Sequence, residues 1–139
     1  MNFIYRHFQF DFHNLLAQKE AEATEFANEL GGKDIFWKYA DLIYERTNFN
    51  GNSLPLTSLA PLAEEIGLNA EIFTECLESG RYTERVQEDL REVSKIGITG
   101  TPRNIFLHNK TKENTLKAGA YPFVELKIII DKMMIQSFL

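Results

Sequence analysis

The stretch GITGTP, residues 97–102, stands where the pattern of the chain changes from helical to strand-like. Residues 105–108, just after it, include the β-branched and aromatic types that suit a strand. A polar turn separates them from a second strand-like run at residues 115–118, and this arrangement predicts a β-hairpin. Pro122 then suits the first position of a helix, where a missing N–H costs nothing. A last helix is therefore predicted from there to about Gln136.

Before this loop, apolar residues recur with the spacing of a single helix face. They predict five helices, over residues 15–30, 35–46, 57–66, 70–78 and 82–96. Asp34, Asn69 and either Thr57 or Ser58 have the short polar side chains that cap a helix N-terminus. Residues 1–8 are rich in aromatic and β-branched side chains and predict a strand.

The order of elements is one strand, five helices, a hairpin and a final helix, which predicts an α/β fold. The length of 139 residues suits one domain, so we expect a single domain over residues 1–139. An all-helical insertion is expected at about residues 15–80. Residues 1–10 and 81–139 are expected to form the frame that carries the strands.

Charge and hydropathy exclude several classes of function. The chain has 15 lysine and arginine residues against 20 aspartate and glutamate residues, and its net charge is −5. Nucleic acids and anionic membrane surfaces favour a clustered basic patch, so neither is expected as a partner. No apolar run approaches the ~20 residues of a membrane span, and we expect no membrane insertion. The first residues lack the long apolar region of a signal peptide, so none is expected.

Cys76 is the single cysteine of the chain. One thiol can form neither an intramolecular disulfide nor a Cys-x-x-Cys pair, and a four-thiolate zinc site is excluded. Cys76 falls between Phe73 and Leu77 on the inner side of a predicted helix, which favours a buried structural thiol. The alternative is an exposed thiol that forms mixed disulfides.

The three histidines, His7, His13 and His108, lack the spacing of four residues that places two metal ligands on one helix face. We therefore expect no metal site, and no motif indicates a cofactor. His7 is expected to have a packing role at the end of the first strand. A catalytic dyad of His13 with Asp11 is a weak alternative.

Six short regions form a further pattern along the chain. They are YRHF at residues 5–8, EATE at 22–25 with ELGG at 29–32, FW at 36–37, FTECLESG at 73–80, GITGTP at 97–102 and GAYP at 119–122. In this order they resemble the DsbA-like branch of the thioredoxin superfamily. The resemblance covers nearly the whole chain. It implies a thioredoxin-like fold with a helical insertion and the activity of a thiol–disulfide oxidoreductase or isomerase.

In that family, a strand and a helix beginning with Cys-x-x-Cys precede the strand with which this chain opens. Because the chain has no such segment, the resemblance implies an N-terminally truncated domain that carries no catalytic residue and is redox-inactive. The absent strand would lie between the opening strand and the hairpin. Open sheet edges invite pairing with another chain, so we expect a homodimer or a strand swap.

Gly100, Thr101 and Pro102 match the family loop that ends in a cis-proline. The resemblance implies that they form a substrate-binding loop, in which backbone groups of Thr101 pair with an extended peptide or a thiol protein. The alternative for Pro102 is an ordinary trans turn proline.

A second functional class is a redox-inactive relative that binds peptides or a partner chain. Members of the family usually work in the periplasm, in other extracytoplasmic compartments or anchored to a membrane. The sequence itself does not indicate a compartment.

Overall fold

The computed structural model describes the backbone of residues 1–9, 14–47 and 54–136. This part contains α1 (Asn14–Gly31), α2 (Lys33–Arg46), α3 (Leu56–Glu65), α4 (Ala70–Ser79), α5 (Thr83–Lys95), β1 (Arg103–Leu107), β2 (Asn114–Ala118) and α6 (Phe123–Gln136). The prediction of a mostly helical α/β architecture is confirmed. The proposed dyad of Asp11 and His13 lies outside the described residues.

The chain forms two compact units, Met1–Ile96 and Gly97–Leu139. The single-domain organisation over residues 1–139, with an insertion at about 15–80, stays a prediction. None of the helices in the described ranges has the length and apolar character needed to cross a bilayer.

A hydrophobic core holds the first unit together. On α1, Ala23, Phe26 and Ala27 share a face because they lie three and four positions apart, and all three are fully buried. The ring of Tyr39 on α2 packs against that of Phe73 on α4, with centroids 5.2 Å apart. The other buried members of this core are Ile43, Leu59, Leu62, Ala63 and Cys76.

Helix α4 begins and ends as its sequence predicts. The side-chain oxygen of Asn69 accepts a hydrogen bond of 2.9 Å from the main-chain N–H of Ile72, which satisfies a donor that the first turn leaves free. Gly80 ends the helix in the left-handed region at φ 62°, where a residue with a Cβ would be strained. The predicted cap and stop are both confirmed.

The predicted caps of α2 and α3 are wrong. Gly32 occupies the N-cap position of α2, so Asp34 lies within the first turn, where a negative charge favours the helix dipole. Pro55 occupies the N-cap position of α3, and its carbonyl accepts from the N–H of Ser58 at 2.9 Å. Thr57 and Ser58 therefore lie inside α3 because the helix starts earlier than its polar residues suggest.

The predicted strand over residues 1–8 is also wrong. The described residues 1–9 adopt no regular secondary structure. A strand needs a neighbour to accept its main-chain hydrogen bonds, and the sheet in the described part consists of β1 and β2 alone. The aromatic side chains of the segment instead pack on α2, with the ring of Phe3 5.3 Å from that of Trp37.

The second unit contains the hairpin and α6, both as predicted. Strands β1 and β2 are antiparallel, with Ile105 opposite Leu116. Ile105, Leu107 and Leu116 are all about half exposed. Among the residues whose burial is described in this unit, His108 alone is buried. The unit therefore has little core of its own, whereas the first unit has a packed one.

Candidate functional site

A buried ionic network, which we call the Asp89 network, joins the N-terminal segment to α1 and α5. Asp89 is fully buried, and one of its oxygens accepts from Arg6 at 2.9 Å and from Arg85 at 2.6 Å. Its other oxygen accepts from the main-chain N–H of His7 at 3.1 Å. The imidazole of His7 lies 3.0 Å from the carboxylate of Glu25. Asp89 thus accepts from three donors, two of which are guanidinium groups.

A second buried carboxylate, that of Glu22, ties α1 to the start of α5. Its oxygens accept from Gln18 at 3.0 Å, from Thr83 at 2.8 Å and from the ammonium group of Lys19 at 2.6 Å. The same ammonium group donates to the carbonyl of Leu77 at 3.2 Å. Because a buried carboxylate is costly unless paired and hydrogen-bonded, this arrangement is best explained as structural.

Cys76 lies on α4 within the hydrophobic core and is 6% exposed. The guanidinium of Arg81 lies 3.2 Å from its sulfur and also pairs with Glu29. Burial raises the pKa of the Cys76 thiol, and the positive charge of Arg81 opposes that rise. A buried thiol with a raised pKa is a poor nucleophile at neutral pH, because the thiolate is the reactive form.

The loop formed by Gly100, Thr101 and Pro102 leads directly into β1. Thr101 and Pro102 are exposed, and the peptide bond between them is cis. The carbonyl of Pro102 accepts a hydrogen bond of 2.9 Å from the N–H of Gly119, which anchors the end of the loop just beyond β2. The loop is thus anchored at its C-terminal end, and Thr101 and Pro102 are accessible.

The main-chain N–H and C=O of Thr101 form no hydrogen bond with any residue of the described ranges. The loop contains no titratable side chain, so it offers hydrogen-bonding groups but no nucleophile, acid or base. Such a stretch suits recognition of an extended peptide rather than catalysis.

Comparison with known families bears directly on this loop. The sequence profile of the DSBA-like thioredoxin domain matches residues 2–120, which include the proline loop and both strands. This chain belongs to the DSBA-like thioredoxin domain family. A crystal structure of Pseudomonas aeruginosa DsbA2 is similar to this DSBA-like domain, with 23% sequence identity and a TM-score of 0.74. The similarity covers 94% of this chain and 70% of that one. No curated protein matches the sequence.

This DSBA-like domain has a single cysteine, so it lacks the Cys-x-x-Cys pair. Cys76 lies in the first unit, whereas Gly100, Thr101 and Pro102 lie in the second. The structural role of Cys76 and the binding role of the loop remain predictions.

No pattern in the sequence indicated the Asp89 network of this DSBA-like domain. Arg6 and Asp89 are 83 positions apart, and no local spacing links them. Only the unusual charge of Arg6 and His7 within an aromatic segment could have suggested buried partners.

His7, Glu25 and Asp89 offer ligand atoms that all lie within 4.8 Å of one another, which resembles a metal site. Two guanidinium groups, those of Arg6 and Arg85, already contact Asp89. They repel a cation and balance the carboxylates. The arrangement is best explained as an ion-pair network, and the sequence-based expectation of no metal site stays a prediction.

Proposed function

We propose that this chain is part of a DsbA-like thiol–disulfide oxidoreductase or isomerase domain, and that on its own it binds extended peptides without redox activity. The observation that carries the proposal is a DSBA-like thioredoxin domain with one cysteine, and that cysteine buried. The N-terminally truncated thioredoxin-like frame with a helical insertion belongs to the same proposal.

Thiol–disulfide exchange supports the absence of redox activity. A thiolate attacks a disulfide and forms a mixed disulfide, which a second thiol then resolves. Cys76 has no second cysteine in the chain to resolve such an intermediate. Its burial and raised pKa also disfavour the first attack.

Peptide binding is supported by the exposed backbone of Thr101, beside Pro102 and next to the start of β1. An extended peptide that pairs with these groups would gain main-chain hydrogen bonds in the manner of strand addition. This binding needs no thiol. A non-catalytic module that holds peptides or a partner chain is therefore the second candidate function.

Insulin reduction tests the redox part of the proposal. We expect the 139-residue chain and its Cys76→Ala variant to give the same background rate of insulin precipitation with dithiothreitol. Clear turnover by the unmodified chain, lost in Cys76→Ala, would overturn the proposal. A Cys-x-x-Cys encoded in frame upstream of Met1 would favour the enzyme over the non-catalytic module.

Fluorescence anisotropy with a labelled, unstructured, cysteine-free peptide tests the binding part. Thr101→Pro removes the main-chain N–H that we assign to the peptide, and we expect roughly two- to tenfold weaker binding, since one such hydrogen bond contributes roughly 0.5–1.5 kcal/mol. Thr99→Pro, two positions earlier in the same exposed loop, is the matched control. Equal loss in both variants would show that the effect is not specific to Thr101.

A further inference from the structure

The six arginine residues of the chain differ in whether an acidic side chain lies beside them. Five of them form ion pairs with glutamate or aspartate. Arg103, the first residue of β1, is exposed, and its side chain has no hydrogen bond, ion pair or ring contact with the described residues. This is notable in a chain with 20 acidic and 15 basic residues. The guanidinium of Arg103 is thus available for a carboxylate of another molecule.

Arg103 lies directly beside the loop of Gly100, Thr101 and Pro102. Only Pro102 separates it from Thr101, whose main-chain groups we assign to the peptide. A peptide strand that pairs with these groups would lie about 4.8 Å from them, the usual spacing of neighbouring strands. The long side chain of Arg103 would then reach a peptide residue one or two positions from the residue that pairs with Thr101.

The hairpin places no carboxylate near Arg103. The residue opposite it on β2 is Ala118, and the next pair along the same face is Ile105 with Leu116, all of them uncharged. The one acidic residue of the hairpin, Glu113, lies at its other end, just before β2. A carboxylate of a bound peptide would therefore meet no competing acidic group on the hairpin.

The second unit is positively charged, although the chain as a whole is negative. Residues 97–139 contain six lysine and arginine residues and three acidic residues, whereas the net charge of the chain is −5. Complementary charge speeds the encounter of two molecules and disfavours partners of the wrong sign. The unit that carries the proline loop is therefore better suited to an acidic peptide than to a basic one.

We propose that the proline loop selects extended peptides with an aspartate or glutamate one or two positions from the residue paired with Thr101, and that Arg103 binds this carboxylate. The inference rests on the proposed peptide binding and adds the chemical class of the peptide. A guanidinium presents its N–H donors in a planar fork that matches the two oxygens of a carboxylate. Because the pair would be exposed, we expect a preference of only about two- to fivefold in affinity.

Fluorescence anisotropy with three labelled, cysteine-free, unstructured peptides tests this selection on the unmodified 139-residue chain. The peptides have equal length and differ only at three adjacent central positions, which hold glutamate, glutamine or lysine. We expect the glutamate peptide to bind about two- to fivefold more tightly than the glutamine peptide, and the lysine peptide to bind most weakly. The difference should shrink when the ionic strength is raised from about 0.02 M to about 0.5 M, because salt screens exposed charges.

Substitutions of single basic residues test the role of Arg103. Arg103→Gln should bind the glutamate and glutamine peptides equally, with an unchanged affinity for the glutamine peptide. Arg103→Lys keeps the charge but loses the planar fork, so part of the preference should remain. Lys112→Gln is the matched control, because it removes one exposed positive charge from the turn at the other end of the hairpin. This control variant should keep the full preference.

The possible failures of this inference and of the proposed function can be distinguished. Equal binding of the glutamate and glutamine peptides by the unmodified chain would overturn the acidic preference and leave peptide binding intact. If none of the three peptides binds, the proposed function is wrong and the preference with it. A preference that Arg103→Gln keeps, or that Lys112→Gln loses to the same extent, would contradict recognition of the carboxylate by Arg103.

Discussion

The guanidinium of Arg6 lies 2.9 Å from the carboxylate of Asp89, and this contact fastens the irregular N-terminal segment to α5. The pair is asymmetric: 42% of the Arg6 side chain is exposed, whereas only 1% of the Asp89 side chain is. If the pair is broken, water can therefore solvate the charge of Arg6 but not that of the Asp89 carboxylate. The stability of the segment depends on the partners of Asp89, which are Arg6, Arg85 and the N–H of His7.

Replacing Asp89 with alanine should destabilise the first unit by about 1–3 kcal/mol, because the buried N–H of His7 then has no acceptor. Urea denaturation measures this loss. The fluorescence of Trp37, the single tryptophan, should also change, since the rings of Phe3 and Tyr5 pack against it. Their centroids lie 5.3 and 5.7 Å from that of Trp37.

Glu92→Ala is the control for this change. Glu92 pairs with the same Arg6 at 3.4 Å, but its side chain is 50% exposed. Exposed ion pairs contribute little, so we expect a loss below about 1 kcal/mol and unchanged Trp37 fluorescence. Equal losses in the two variants would contradict a special role of Asp89.

The contrast between Asn69 and Asp89 shows what could be read from the sequence. The cap at Asn69 and the stop at Gly80 depend on residues within a few positions, and the hairpin depends on a short turn, so local patterns predicted them. The Asp89 network joins residues more than 80 positions apart, and no local pattern encodes that distance. The strand predicted over residues 1–8 failed for a related reason: its composition is suitable, but a strand also requires a neighbour.

The stability of the chain should fall in alkaline solution partly through Tyr39. Burial and the nearby charge of Glu20 raise the pKa of Tyr39 well above its usual value of 10.0. The folded state then keeps a proton that the unfolded state releases. The raised pKa of Tyr39 therefore has no effect on the free energy of unfolding below about pH 10. Above that pH the free energy of unfolding falls by up to about 1.4 kcal/mol per pH unit, until the pH reaches the folded-state pKa.

Tyr39→Phe should flatten this alkaline decline in urea denaturation measured on both sides of pH 10. At neutral pH the variant should lose about 0.5–1.5 kcal/mol, because the hydroxyl donates to the carbonyl of Leu59 at 2.7 Å. Tyr5 also has a raised pKa, so some decline should remain. A Tyr39→Phe variant whose stability declines above pH 10 as steeply as that of the unmodified chain would contradict the assignment to Tyr39.

Cys76 should react slowly with an aromatic disulfide reagent such as DTNB in the native chain. Burial raises the pKa of its thiol above 9.0, so the thiolate fraction is small at pH 8 and increases with pH. In the native chain the reagent reaches the thiol only when the fold opens, whereas in urea the thiol is always accessible. We therefore expect the native rate to be on the order of 100-fold below the rate in urea. Comparable rates in both conditions would support the alternative of an exposed thiol.

The location of the hydrophobic core predicts that the first unit folds as an isolated fragment and that the second does not. Every buried apolar residue of the described part lies before Ile96, whereas the second unit offers a two-stranded hairpin, which is marginally stable in isolation. A fragment of residues 1–96 should therefore fold with a helical circular-dichroism spectrum and a cooperative melt close to that of the whole chain. A fragment of residues 97–139 should show little ordered structure at low concentration. If residues 1–96 fail to fold while the whole chain melts cooperatively, the second unit must supply stability that the core of the first unit lacks.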